Sequence, residues 1–311
     1  MARAFIFPGQ GSQSVGMGKA LAEAYPAARE VFEEVDDALG QKLSGLMWAG
    51  PMEELTLTAN TQPALMAHSI AAMRVLENEA GVDVGKAMFV AGHSLGEYSA
   101  LCASGAISLA DTARALRVRG DAMQAAVPAG EGAMAALLGV DLDSAQAAID
   151  AAPGDGVCEI ANDNAPGQVV ISGAKARVEA VCAGAKDHGA KLAKMLPVSA
   201  PFHSSLMAPA AEKMAEALAA INIRAPKTTL IANVTAAPAL TPGDIRDLLV
   251  KQVTGRVRWT ESVSKMADEG CELFIEVGTG KVLSGLVKRI ARDANTAAVG
   301  APEDIDAFGK L

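Results

Sequence analysis

The sequence is poor in several residue types, and each shortage excludes a class of protein. Aromatic residues make up only 4% of the 311 residues, so few side chains could stack on nucleic-acid bases. Basic residues number 27 against 36 acidic ones, and the net charge of −9 leaves no general basic surface for a phosphate backbone. These two shortages argue against a nucleic-acid-binding protein.

Cysteine and long apolar runs are also scarce. The four cysteines show neither CxxC nor CxxH spacing, which argues against zinc, a redox pair or a disulfide framework. No apolar run reaches the roughly 18 residues of a membrane span, and MARAFIFPGQG is too short for a signal peptide. We therefore expect a cytoplasmic protein without a membrane partner, in which the NVT triplet at Asn233 matches a glycosylation acceptor only incidentally.

The chain does contain apolar strand patterns that alternate with Ala-rich helical patterns. The segments ARAFIF, KAMFVAGHS, TTLIANVT and CELFIEVG are each bounded by Gly or Pro and followed by a helical pattern. This alternation predicts an α/β fold around a mostly parallel sheet.

Between residues 128 and 198 the pattern changes to strand, helix, strand, strand, helix, strand. This βαββαβ order matches the split βαβ, ferredoxin-like motif. We predict a large domain of residues 1–127 and 199–311 with an inserted small subdomain of residues 128–198. One continuous α/β domain is the alternative.

The pentapeptide GHSLG places Ser94 between a strand pattern and a helix pattern, which is the context of a nucleophile elbow. Glycines on both sides would let the backbone turn sharply, and the helix N-terminus would favour a developing negative charge. The alternative is a serine that only caps the helix.

A serine hydroxyl needs a base, and the candidates are His68, His93, His188 and His203. His93 adjoins the serine and should point away from it across the turn. His68 lies in an apolar helical pattern, and His188 lies at a predicted helix C-terminus. His203, in the loop PFHSSLM, therefore pairs best with Ser94 as a Ser and His catalytic set. A solvated loop histidine is the alternative.

The loop PGQGSQSVGMG after the first strand is rich in glycine. It is not a dinucleotide fingerprint, because Ser14 stands where the third glycine should be. Two interpretations remain open: a tight structural turn, or a loop in which Gln10 acts with the amide of Leu95 as an oxyanion hole.

Five motifs together resemble those of malonyl-CoA:acyl carrier protein transacylases. They are FPGQGSQ, GHSLGEYSAL, ARALRVRGDAMQ, PFHSSLM and QVTGRVRW, in this order. The match spans nearly the whole chain, includes IANDNAPGQVVISG, and is far more specific than GxSxG alone. It implies an α/β-hydrolase-like core, a ferredoxin-like subdomain and a cleft between them.

The resemblance also implies roles for single residues. Ser94 is the implied nucleophile and His203 the implied base, with the backbone amides of Gln10 and Leu95 as the oxyanion hole. A main-chain carbonyl at Gln252 would orient the histidine, where a triad hydrolase uses Asp or Glu. The positions implied to line or support the site are Met123, Asn162, His93 and Phe202.

Arg119 is implied as the partner of the malonyl carboxylate, and chemistry supports an arginine there. A planar guanidinium can give a carboxylate two parallel N–H bonds, which lysine cannot. The sequence alone does not separate Arg119 from Arg114 and Arg117 on the same helix. Phe202 resembles the bulky residue of malonyl-selective enzymes and would exclude α-branched acyl groups, with core packing as the alternative.

The implied reaction is ping-pong transfer of malonyl from malonyl-CoA, through a malonyl-serine, to the phosphopantetheine thiol of acyl carrier protein. It requires no metal or redox cofactor, and it would supply fatty acid synthesis; polyketide assembly stays open. We expect a monomer. Because the chain itself is acidic, an acidic carrier protein would need a local basic cluster. The candidate cations are Lys191, Lys194, Lys281, Lys288, Arg289 and Arg292.

Two rival functions come from other classes. An esterase or lipase of the same fold is disfavoured, because no suitable Asp and His follow Ser94 in order and an apolar acyl chain needs no arginine. An idle module that only docks a carrier protein is disfavoured by the intact pair of Ser94 and His203.

Overall fold

The computed structural model describes residues 2–198 and 200–308. Ser199, the first residue of the second predicted segment of the large domain, lies outside the described residues, as do Met1 and residues 309–311.

The strands are β1 Arg3–Phe7, β2 Phe89–Gly92, β3 Gly132–Leu138, β4 Cys158–Ala165, β5 Gln168–Ala174, β6 Leu192–Met195, β7 Thr229–Ala232, β8 Ala237–Ala239, β9 Val257–Arg258, β10 Leu273–Val277 and β11 Asn295–Val299. The helices are α1 Lys19–Ala24, α2 Pro26–Leu39, α3 Leu43–Ala49, α4 Met52–Thr56, α5 Thr58–Ala80, α6 Gly96–Ala103, α7 Leu109–Ala125, α8 Leu142–Ala151, α9 Lys175–Gly184, α10 Ala208–Ala219, α11 Pro242–Thr254, α12 Trp259–Asp268, α13 Val282–Ile290 and α14 Pro302–Phe308.

The larger sheet has six strands in the order β11-β10-β1-β2-β7-β8. All neighbours are parallel except β7 and β8. Both faces are covered, because Phe5 and Phe7 of β1 pack into one buried cluster while Ala4 and Ile6 pack into another. The prediction of a mixed α/β fold is confirmed, and the carboxyl ends of β1, β2 and β7 meet at one edge of the sheet.

The smaller sheet has five strands in the order β6-β3-β5-β4-β9. Residues 132–195 supply β3, α8, β4, β5, α9 and β6 in chain order, and these elements enclose a separate buried cluster. The helix predicted to reach His188 ends at Gly184 and continues as a 3-10 turn.

The fifth strand of the smaller sheet, β9, comes from a distant part of the chain and pairs parallel with β4. The sequence pattern does not predict β9, because two residues are too few to show a period. Arg289 of α13 joins the two regions a second time, since its Nη2 donates to the carbonyl oxygen of Pro166 at 2.7 Å.

No helix in the described ranges is long and apolar enough to cross a membrane.

A buried carboxylate fixes the start of α13. Glu276 of β10 is 0% exposed, and its oxygens accept hydrogen bonds from the backbone N–H groups of Leu283 and Ser284 at 3.0 and 2.7 Å. The Ser284 hydroxyl donates to the same carboxylate at 2.8 Å. These N–H groups have no partner inside the helix, so Glu276 takes the place of an N-cap side chain.

We expect Glu276→Gln to lower the free energy of unfolding by about 1–3 kcal/mol, because charge-assisted hydrogen bonds to buried N–H groups are weakened. Urea denaturation measures the change. Glu212→Gln is the matched control, since Glu212 is exposed on α10 and its substitution should change stability by less than about 0.5 kcal/mol. Equal effects of the two substitutions would contradict the capping role.

Candidate functional site

Ser94 occupies a sharp turn between β2 and α6. Its φ of 53° lies in the left-handed region, which is strained for a residue with a side chain. A Cβ atom on Gly92 would lie 2.0 Å from the backbone of Gly96, and a Cβ atom on Gly96 would lie 2.2 Å from the carbonyl oxygen of Phe7. Both glycines of GHSLG are therefore required by close backbone contacts on either side of the serine.

Asn233, directly after β7, holds this turn in place. The backbone N–H of Ser94 donates to Asn233 Oδ1 at 2.7 Å, and Asn233 Nδ2 donates to the carbonyl oxygen of Gly92 at 2.7 Å. Asn233 is 1% exposed. In the sequence, Asn233 shows only an incidental glycosylation match, and no local pattern predicts its contact with the serine turn.

His203 faces the Ser94 hydroxyl. Its Nε2 lies 2.8 Å from Ser94 Oγ, while Nδ1 lies 2.9 Å from the carbonyl oxygen of Gln252 and 3.1 Å from that of Gly255. Carbonyl oxygens only accept hydrogen bonds, so Nδ1 carries the proton and Nε2 presents its lone pair to the serine. The φ of 57° at His203 is left-handed as well, so both members of the pair lie on strained backbone.

The surroundings of His203 favour its neutral form. Burial, followed by the nearby positive charge of Arg119, lowers the pKa of His203 to about 3. The imidazole is therefore unprotonated near neutral pH and can accept the hydroxyl proton.

Arg119 is the arginine of α7 that enters the site. It is 1% exposed, and its Nη2 donates to Ser94 Oγ at 3.1 Å and to Gln252 Oε1 at 2.9 Å. Its Nη1 donates to Gln62 Oε1 at 2.8 Å. The guanidinium also lies 5.6 Å from the centre of the Tyr98 ring, within cation–π range.

The two neighbouring arginines lie elsewhere. Arg114 pairs with Asp111 at 2.7 Å on the surface, and Arg117 donates to Asn60 and Gln41 at 2.8 and 2.6 Å. The helical repeat thus separates the three cations that the sequence could not distinguish.

A cavity of about 510 Å³ opens in front of these groups. It is lined by residues of both the larger and the smaller sheet regions. The predicted site residues that line it are Gln10, His93, Ser94, Leu95, Arg119, Met123, Asn162, Phe202 and His203. Gln252 is 0% exposed and lies behind this surface, in contact with Arg119 and His203.

The predicted oxyanion-hole residues lie on two elements that meet at the serine. Leu95 is the N-cap residue of α6, where backbone N–H groups have no partner inside the helix, and Gln10 lies in the loop after β1. His93 lines the same cavity beside Ser94: its Nε2 lies 2.8 Å from Asn164 Oδ1, and its ring packs edge-on against Trp259.

Two further residues of the site were not predicted from the sequence: Gln62, which lines the cavity, and Glu97, which is buried outside its lining. Gln62 positions Arg119, and Glu97 Oε2 accepts a hydrogen bond from Gln252 Nε2 at 2.8 Å. Glu97 lies within the quoted motif GHSLGEYSAL, where a single acidic residue in an otherwise uncharged helix was the available signal. Within residues 2–198 and 200–308, no group of His, Cys, Asp or Glu side chains has an arrangement that could hold a metal ion.

Comparisons with known proteins agree with this arrangement. A family model described as acyl transferase domain matches residues 4–302. The malonyl CoA-acyl carrier protein transacylase of Bacillus subtilis is 50% identical over 304 residues, which cover 97% of this chain and 95% of that protein.

Solved structures agree as well. The acyl-carrier-protein-S-malonyltransferase from Bartonella henselae has a TM-score of 0.97 and 55% identity, covering 100% of this chain and 99% of that one. A type II PKS acyl-carrier protein in complex with its malonyl-transacylase matches with a TM-score of 0.96 and 41% identity, covering 100% and 99%. The chain therefore belongs to the acyl transferase family, among the malonyl CoA-acyl carrier protein transacylases.

Proposed function

We propose that this acyltransferase moves a malonyl group from malonyl-CoA to the phosphopantetheine thiol of acyl carrier protein, for fatty acid synthesis. The observation that carries the proposal is the position of Ser94 Oγ. It lies 2.8 Å from the unprotonated Nε2 of His203 and 3.1 Å from Arg119 Nη2. One hydroxyl thus lies between a general base and a fixed cation. Such a site suits a thioester whose acyl group carries a negative charge.

The proposed reaction has two half-reactions. His203 Nε2 takes the hydroxyl proton as Ser94 Oγ attacks the thioester carbonyl, and the backbone amides of Gln10 and Leu95 stabilise the oxyanion. The tetrahedral intermediate expels the CoA thiolate, which receives the proton from His203 and leaves malonyl on Ser94. The carrier-protein thiol then gives its proton to His203 and attacks the malonyl-serine carbonyl. The bond from that carbonyl to Ser94 Oγ breaks, the oxygen takes the proton back from His203, and malonyl remains on the carrier-protein sulfur. All groups in these steps belong to the chain or the substrates, so we propose no metal or redox cofactor.

The acidic end of the acyl group would bind Arg119, which is held by Gln62 and Gln252 before substrate arrives. A cation with a fixed orientation loses little entropy on binding a carboxylate. Phe202 and Met123 line the same cavity, and we propose that Phe202 excludes α-branched acyl groups.

The hydrolase alternative fits the site less well. His203 Nδ1 contacts two main-chain carbonyl oxygens, of Gln252 and Gly255, where a triad hydrolase would have a carboxylate. Comparing thiol transfer with water release from malonyl-CoA separates the two activities. The idle docking module is disfavoured because Ser94 and His203 are in hydrogen-bond contact.

For the finer architecture, we propose an α/β-hydrolase-like core and a ferredoxin-like small subdomain of residues 128–198. The order β6-β3-β5-β4 within the smaller sheet supports the second assignment, since it is the 4-1-3-2 order of a βαββαβ unit. The monomeric state and cytoplasmic location remain predictions from the sequence.

We propose that acyl carrier protein docks on β6. Lys194 is exposed on β6 and Lys191 is exposed directly before it, and residues 196–198, which follow β6 directly, line the cavity. The cations of α13 are placed less favourably, because α13 contributes no described residue to the cavity lining and Arg289 is bound to Pro166 and Gln168.

We expect Ser94→Ala to abolish the malonyl adduct, because the attacking hydroxyl is removed. His203→Ala should slow formation of the adduct by about 10²–10⁴-fold, because the hydroxyl then has no base. Mass spectrometry after brief exposure to malonyl-CoA measures the adduct. Ser205→Ala, which changes an exposed serine two residues after His203, should retain the adduct. Acylation at the parent rate in His203→Ala would remove His203 from the mechanism.

We expect Arg119→Ala to reduce the preference for malonyl-CoA over acetyl-CoA by roughly 2 to 5 kcal/mol, because a buried charge pair with the substrate is lost. The ratio of kcat/KM for the two thioesters measures the preference. Arg114→Ala is the control on the same helix and should leave the ratio unchanged, since Arg114 pairs with Asp111 at the surface. An unchanged ratio in Arg119→Ala would move the role to another cation.

We expect the double charge reversal Lys191→Glu with Lys194→Glu to raise the KM for acyl carrier protein about ten-fold and to weaken its salt dependence. The malonyl-CoA half-reaction should keep its rate. The matched control reverses Lys288 and Arg292, which are exposed on and just beyond α13. If reversal of Lys288 and Arg292 raised the KM for acyl carrier protein more than reversal of Lys191 and Lys194, the carrier protein would dock on α13.

A further inference from the structure

A buried carboxyl group lies directly behind the nucleophile and takes no part in the acyl transfer described above. It belongs to Glu97, in the first turn of α6, whose side chain is 1% exposed. Glu97 Oε2 accepts hydrogen bonds from the backbone N–H of Asn233 at 3.0 Å and from Gln252 Nε2 at 2.8 Å. Both donors are uncharged amides, so a negative charge on Glu97 must be balanced from further away.

The Gln252 side chain connects this carboxyl group to the substrate-binding cation. Its Oε1 accepts from Arg119 Nη2 at 2.9 Å, and its Nε2 donates to Glu97 at 2.8 Å. The amide dipole therefore points its negative end at the guanidinium and its positive end at the carboxylate. In the described part of the chain Arg119 forms no direct ion pair within 4.0 Å, so this bridged contact is its link to an acidic group.

We propose that Glu97 is the internal counter-charge of Arg119, and that it takes up one proton from solvent when a malonyl carboxylate binds to Arg119. The inference rests on the proposed function of the same site. Two carboxylates that share one buried cation repel each other, so protonation of one of them is the low-energy arrangement. Glu97 does not touch substrate, and it acts as a positioning residue through Gln252.

The charges around Glu97 allow such a change near neutral pH. Burial raises the pKa of Glu97 to about 7, against the opposing effects of the Asn233 and Gln252 hydrogen bonds and of Arg119. Arg119, from α7, is the charged group that acts on the Glu97 carboxyl. On α6, the helix of Glu97, the pKa of Tyr98 is raised, so its phenol stays neutral. From the loop before α10, His203 is neutral as well, because burial and Arg119 lower its pKa to about 3.

The sign of the pH dependence follows from these charges. Above about pH 7 Glu97 is ionised and weakens the field that Arg119 presents to a malonyl carboxylate. Below about pH 7 Glu97 is neutral and the full positive charge of Arg119 is available. Selection of malonyl over an uncharged acyl group should therefore weaken as pH rises through neutrality.

A purely structural role for Glu97 makes a different prediction. Glu97 bonds Asn233, which in turn holds the Ser94 turn, so loss of this contact would slow acylation by every thioester alike. The ratio of kcat/KM for malonyl-CoA to that for acetyl-CoA would then not move with pH. Because both substrates carry the same CoA phosphates, the ratio also cancels titration of those phosphates.

The test is Glu97→Gln, which removes the charge with little change of shape. In the parent enzyme we expect the malonyl-to-acetyl ratio to fall about five-fold between about pH 6 and about pH 8, because a binding-linked rise of about one pKa unit changes the ratio by at most about ten-fold over all pH values. In Glu97→Gln the ratio should be independent of pH and close to the low-pH value of the parent. Glu276→Gln is the matched control, since it neutralises another fully buried glutamate away from Arg119 and should keep the parent's pH dependence.

A second measurement covers the case in which Glu97→Gln does not fold. Calorimetry of malonyl-CoA binding to the Ser94→Ala protein, in two buffers with different ionisation enthalpies, counts the protons taken up. Near pH 7 we expect the protein to take up protons when malonyl-CoA binds. Binding of acetyl-CoA should change the number of bound protons only by the amount that the CoA part of both thioesters contributes.

A ratio that does not change with pH in the parent, or one that changes equally in Glu97→Gln, would overturn the counter-charge role, as would equal proton uptake with the two thioesters. Failure of the proposed function is a separate result: folded parent enzyme would then form no malonyl adduct on Ser94.

Discussion

Gln252 is the residue on which the rest of the candidate site depends, because its backbone and its side chain hold His203, Arg119 and Ser94 at once. Its carbonyl oxygen fixes the tautomer of His203, and its side-chain oxygen orients Arg119. Its side-chain nitrogen donates to the carbonyl oxygen of Ser94 and to Glu97. A movement of α11 relative to β2 would therefore disturb His203, Arg119 and Ser94 together, and Gln252 is completely buried among them.

These contacts also explain how two strained residues persist side by side. Left-handed backbone at Ser94 and His203 costs of order 1–3 kcal/mol at each residue and survives only where surrounding contacts enforce it. At Ser94 the contacts come from Asn233 and from the close backbone approaches at Gly92 and Gly96. These contacts hold the Ser94 hydroxyl 2.8 Å from His203 Nε2, so the orientation of the pair is fixed during folding.

Local patterns predicted much of the architecture, since strand and helix periods depend on neighbouring residues. Apolar runs in the sequence predicted the buried strands β1, β2, β7 and β10. A change in the order of strand and helix patterns predicted the βαββαβ segment. The strand β9 was not predicted, because two residues carry no period and its pairing with β4 is decided by the packing of the two sheets.

The sequence by itself determined which residue types could do the chemistry: a serine in a Gly-flanked turn, one histidine in a suitable loop, and a helix with three arginines. Tertiary structure decided which arginine enters the cavity, because only the packing of α7 against α5 shows that Arg119 faces Gln62 while Arg117 faces Asn60. It also decided that Glu97 and Asn233 belong to the site. Their partners lie 136 and 139 residues away along the chain, and no local pattern encodes a hydrogen bond over that separation.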